Sequence, residues 1–129
     1  MPPVTRTASI ASVLPITLLF LTSGVLHFVT PGFFLRIVPA WVPNAQLAVA
    51  VSGAAEIAGA IGLLFPATRV MSGWGLIALL AAVFPANVYM LQQAIAKDAS
   101  RAALTILWAR LPMQPLLMWW VWRAAVRAG

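Results

Sequence analysis

The chain has no cysteine, one histidine and only two acidic residues, Glu56 and Asp98, among 129 residues. Without cysteine there can be no disulfide, no thiolate nucleophile and no thiolate-held iron–sulfur cluster within the chain. A single histidine, His27, leaves too few donors for a self-contained metal site. Phosphate loops, dinucleotide-binding glycine fingerprints and nucleophile elbows are missing as well. No repeat or low-complexity stretch marks a boundary, so one compact domain is expected.

Charge is scarce altogether. Charged residues make up 8% and hydrophobic ones 63% of the chain, with a mean hydropathy of +0.98. Soluble domains sit near one-quarter charged and half apolar, so this is the composition of an integral membrane protein. With about 20 residues per spanning helix, the length accommodates four spans and short connections. The net charge of +6 comes from Arg6, Arg36, Arg69, Lys97, Arg101, Arg110, Arg123 and Arg127, most of them at the ends of apolar segments. Scattered in this way they act as interfacial anchors and topology signals, and no nucleic-acid partner is expected.

The fold expected is all-α, a four-transmembrane-helix bundle with spans at about 10–29, 45–65, 70–94 and 103–123. The first follows Arg6 as a signal peptide would, but no A-x-A-like cleavage site comes after it. Thr30-Pro31-Gly32 ends it. The stretch from Phe33 to Pro43 is too short and too rich in proline to span, and it is expected to lie in the interface, with Phe33, Phe34 and Trp41 at the lipid boundary and Arg36 at the headgroups. Pro66-Ala67-Thr68-Arg69 turns the chain back. Pro85 predicts a kink near residues 81–85 of the third span. The fourth carries Arg110 into the membrane, is distorted by Pro112 and Pro115, and ends in an aromatic belt of Trp119, Trp120 and Trp122. Four spans put both termini on one side, expected to be the cytoplasmic one, although the basic residues divide almost evenly between the two faces.

Glu56 is the sharpest signal. It stands inside the apolar run from Leu47 to Phe65, where a charged group costs about 2.5–3.5 kcal/mol on insertion scales unless a partner or a functional pocket offsets it. Threading four spans up and down puts His27, Asn87, Arg110 and Gln114 in one half of the membrane, with Glu56 at mid-depth. Ser52, Gly53, Gly59 and Ala60 give Glu56 a small-residue packing face, and Ser23 and Gly24 do the same for His27. Two readings follow. In one, Glu56 and Arg110 form a buried ion pair and His27, Asn87 and Gln114 satisfy the remaining hydrogen bonds. In the other, His27, Glu56, Asn87, Arg110 and Gln114 line an apolar pocket and orient a ligand's polar end. Glu56 and His27 are also the candidates for acid–base catalysis.

Several stretches together are similar to the DoxX-like membrane proteins: Ser23-Gly24-Val25-Leu26-His27-Phe28 with Pro31 and Phe34; Val38-Pro39 and Pro43; Ser52-Gly53-Ala54-Ala55-Glu56 with Gly62-Leu63-Leu64; Phe84-Pro85-Ala86-Asn87-Val88-Tyr89-Met90; and Arg110-Leu111-Pro112-Met113-Gln114-Pro115 followed by Trp119-Trp120. The resemblance covers about residues 20–123. It implies a four-helix membrane bundle tied to redox systems; the family's name is linked to a thiosulfate:quinone oxidoreductase. Members with a paired-cysteine motif are not matched, so electron transfer would need a redox partner protein or a quinone.

The function expected is therefore an accessory membrane bundle that binds a quinone-like or other small lipophilic molecule, with no cofactor held by the chain beyond such a quinone. The alternatives are a cofactor-free isomerase or cyclase acting on a lipophilic substrate, and a transporter or proton path built by a homo-oligomer. A multi-pass place in the lipid bilayer, in a bacterial inner membrane, goes with all three.

Overall fold

The computed structural model describes residues 10–36 and 38–127. Arg6 and Ile37 lie outside the described residues. The architecture is all-α. Helix α1 runs Ile10–Val29, a short α2 Pro31–Leu35, α3 Ala45–Gly62, α4 Arg69–Ala96 and α5 Arg101–Val121, which continues into wider π-helical turns over Trp122–Arg127.

Local chemistry sets these limits. Asn44 and Ser100 cap α3 and α5, accepting from the backbone N–H of Leu47 at 3.0 Å and of Ala103 at 3.2 Å. Asp98 takes the left-handed conformation, φ 51°, just past the end of α4. There the Ala99 N–H reaches the Ala94 carbonyl and the Asp98 N–H the Ile95 carbonyl, the paired bonds of a Schellman ending. The second acid of the chain thus terminates a helix. Prolines 15, 85, 112 and 115 all stand inside helices, which membrane helices tolerate when neighbours re-satisfy the freed backbone groups.

By length and composition α1, α3 and α4 can each cross a membrane. At about 1.5 Å per residue α5 is also long enough, but Arg101, Arg110 and Gln114 make it less apolar, and it is not among the three. The outer surfaces of the three apolar helices carry exposed Leu18, Val29, Leu47, Val51, Met71 and Trp74. A surface of that kind suits lipid tails rather than water.

Helix α1 packs on α3, α3 on α4, and α4 on α5, while the π-helical segment folds against α4 and reaches α1. The core occupies one end of the bundle. Val13, Ile16 and Phe20 of α1 meet Ala60, Leu63, Leu76, Leu80, Val121 and Ala125 there. Two expected interfacial residues belong to this end. Trp120 packs against the core instead of joining an aromatic belt. Arg69, expected as an exposed anchor, is 2% exposed; its Nε donates to the Leu63 carbonyl at 2.7 Å. A guanidinium there satisfies carbonyls that the end of α3 leaves unpaired.

Candidate ligand cavity

The opposite half of the bundle is not filled. It holds a cavity of about 380 Å³, within the range of small-molecule sites. How it forms starts with two glycines. A Cβ on Gly24 would stand 2.8 Å from the Gly53 carbonyl oxygen, and one on Gly53 would stand 2.6 Å from the Cβ of His27. Helices α1 and α3 therefore cross with their backbones nearly touching, the use that membrane helices make of small residues.

This crossing brings Ser23 and His27, one turn apart on α1, against Glu56 on α3. The Ser23 hydroxyl lies 3.2 and 3.1 Å from the two carboxylate oxygens of Glu56. His27 Nδ1 lies 3.2 Å from Glu56 Oε2 and 2.7 Å from the Ser23 carbonyl oxygen. With Glu56 ionised, both partners of Nδ1 can only accept, so Nδ1 carries the hydrogen. Nε2 has no partner among the described residues, and no buried side-chain nitrogen or oxygen there lacks one. It is therefore not enclosed, in a ring that lines both the main cavity and a smaller one beside Pro31, Leu35 and Gln46.

The chain after α1 folds over this pair. Phe34 stacks on the His27 ring, centroids 3.8 Å apart at 20° between planes, and Phe33 meets Phe34 edge-on. Phe34 was expected at the lipid boundary; the stack on His27 holds it over the cavity instead. Val38, Pro39, Trp41 and Val42 complete this rim, with Trp41 also broadly exposed.

Helices α4 and α5 form the far wall. Gln114 is buried and its Nε2 donates to the Leu80 carbonyl at 2.9 Å, near the turn of α4 that Pro85 disturbs. Asn87 is 6% exposed, yet its amide has no hydrogen-bond partner among the described residues. Since no buried side-chain nitrogen or oxygen there is left unpaired, the amide reaches the cavity. Arg110 comes from the middle of α5, and among the described residues its Nη1 meets the Met90 sulfur, at 3.7 Å.

His27, Glu56, Asn87, Arg110 and Gln114 thus all line one cavity, between apolar walls that include Leu19, Val49, Leu79, Val83 and Leu117. The expected Glu56–Arg110 ion pair does not form; among the described residues the carboxylate pairs with His27. The reason is the order of packing. Helix α3 rests on α1 and α4, α5 rests on α4, and the cavity lies between the carboxylate and the guanidinium. The sequence reading missed Ser23, Phe34 and Trp41 as parts of the site. Ser23 carried a signal, because residues four apart on a helix share a face and it stands four before His27. Among the described residues no cluster of three metal-ligating side chains occurs.

A family model described as "Domain of unknown function (DUF8561)" matches residues 16–125, and the chain belongs to that family. The match is to this uncharacterised family, whereas the DoxX-like resemblance rests on the polar motifs alone. No curated protein and no solved structure matches the chain.

Proposed function

We propose that this member of an uncharacterised family crosses the membrane four times, both termini on one face, and holds a small lipophilic molecule, quinone-like or of another class, by its polar end. The observation that carries the reading is Asn87. The residue is 6% exposed, its amide has no hydrogen-bond partner among the described residues, and it opens on the cavity that His27, Glu56, Arg110 and Gln114 also line. A ligand oxygen or nitrogen fits there, as one of the few polar groups that orient a molecule between apolar walls. The same placement supports four spans, since Arg110 and Gln114 of α5 line the cavity while Ile106, Trp108 and Leu116 are exposed for lipid. An accessory place in a membrane redox system rests on the DoxX-like resemblance.

Solvent extraction of the purified protein followed by mass spectrometry tests the reading. The wild type is expected to carry one lipophilic species in near-stoichiometric amount. Asn87→Ala should lose it while its melting temperature moves by no more than a few degrees, because the amide makes no hydrogen bond to the described residues. Only bulk membrane lipid in both extracts would overturn the reading.

A second reading has one specific observation behind it. Nδ1 of His27 is held by Glu56 and the Ser23 carbonyl, which leaves Nε2 without a partner among the described residues in a ring that lines the cavity, an arrangement that can take or give a proton. Under this reading the bound molecule is the substrate of an acid–base reaction, an isomerisation or cyclisation. Conversion of the extracted species by the wild type and not by His27→Gln would establish it.

A further inference from the structure

Resting on the cavity as a ligand site, we infer that its occupant is a single-chain amphiphile with an anionic oxygen headgroup, a carboxylate or phosphate, seated between Arg110 and Asn87. The two walls of the cavity differ in what they leave unsatisfied. On the α1–α3 wall the oxygens of Glu56 are taken by Ser23 and His27, at 3.1–3.2 Å. On the α4–α5 wall Arg110 presents a planar group with five N–H donors, and the contact it makes is with a thioether sulfur at 3.7 Å. Sulfur of that kind is a weak acceptor.

No carboxylate among the described residues reaches this guanidinium, because Glu56 is engaged across the cavity and Asp98 closes the end of α4. A guanidinium in an apolar cavity is best satisfied by a planar or tetrahedral oxyanion that accepts two parallel bonds. The Asn87 amide supplies a further donor from the neighbouring helix. The remaining lining, Leu79, Val83, Met113 and Leu117 on the same two helices, suits an alkyl chain. At about 380 Å³ the space is at the lower end for ligand sites, which favours one chain over two.

Native mass spectrometry of the detergent-solubilised full chain, titrated with hexadecanoate, a single-chain lysophosphatidate and hexadecanol, tests this. At least one of the two anions is expected to bind one per chain and about tenfold or more tighter than hexadecanol, the factor that charge-assisted hydrogen bonds supply. Which anion binds tighter distinguishes a fatty-acid source from a phospholipid one. Arg110→Gln should bring that anion down to the level of hexadecanol, and Arg110→Lys, which keeps the charge and loses the fork, should keep part of the preference. Should Arg110→Gln fail to fold, the wild-type preference and the lysine variant carry the comparison. Hexadecanol binding as tightly as both anions, or a preference that survives Arg110→Gln, overturns the inference and leaves the cavity a site for neutral ligands. Binding of none of the three to the wild type overturns the inference together with the reading it rests on.

Discussion

At the residue scale the central fact is which groups share the load of Glu56. Its partners are Ser23 and His27 on the helix it crosses, and losing the carboxylate would take the acceptor from the Ser23 hydroxyl and leave Nδ1 of His27 with the Ser23 carbonyl alone. Glu56→Gln and His27→Gln are each expected to lower thermal stability in detergent by about 1–3 kcal/mol, with the double variant less damaged than the sum. Contacting residues typically show coupling of about 0.5–3 kcal/mol in such a cycle. The parallel cycle of Glu56→Gln with Arg110→Met should be additive, because the cavity separates the two. Coupling in the second cycle and none in the first would reverse the assignment. That Glu56, His27, Asn87, Arg110 and Gln114 would gather around one space was legible from the cost of polar groups in apolar runs. Their partners were not, since opposite formal charges suggest Glu56 with Arg110, whereas the backbone approach at Gly24 and Gly53 decides in favour of His27. Arg69 shows the same limit: a basic residue at a helix end looks like an anchor, and only the fold reveals that the carbonyls ending α3 draw it inside.

At the scale of elements, helix limits were legible wherever the punctuation is local. Thr30-Pro31 ends α1 and Asn44 starts α3, where the sequence places them. Helix α3 stops at Gly62, short of the expected Phe65, because Leu63, Leu64 and Phe65 enter a turn closed by Thr68, whose hydroxyl donates to the Gly62 carbonyl at 2.7 Å. The crossing of α1 and α3 gives a sharp prediction. Gly24→Ala drives a methyl into the Gly53 backbone, which cannot swing away as a side chain could, and overpacking of this sort costs about 1–3 kcal/mol. Gly75→Ala on α4 meets nothing within 4 Å, so removing a helical glycine there should stabilise by up to about 1 kcal/mol. Melting temperatures of the two variants moving in opposite directions would support the crossing; equal, small shifts would contradict it.

For the whole molecule, the division into a packed end and a cavity end organises everything else. Core side chains gather where α1 begins and α3 ends, and the polar residues line the cavity from the later part of α1, the middle of α3 and the facing stretches of α4 and α5. Composition told that the chain is membrane-like and helical, but a hydropathy pattern cannot tell a filled bundle from one with a hollow end. The cysteine-free chain makes topology directly testable. Single cysteines at Ala67 and Lys97, in the turns on either side of α4, should be labelled by an impermeant reagent from opposite faces, with one at Ala128 labelled from the same face as Ala67. A cysteine at Ala128 labelled from the face of Lys97 would mean that α5 does not cross.

The claim that the hollow end is a binding site is tested most directly by closing it. Ala86 lines the cavity and is not one of its polar groups, so Ala86→Phe fills the space and leaves His27, Glu56, Asn87, Arg110 and Gln114 unchanged. Native mass spectrometry of the protein as purified from membranes should show one bound lipophilic species on the wild type and none on Ala86→Phe, both with the same helical circular dichroism. The same bound mass on both, or none on the wild type, would contradict the account.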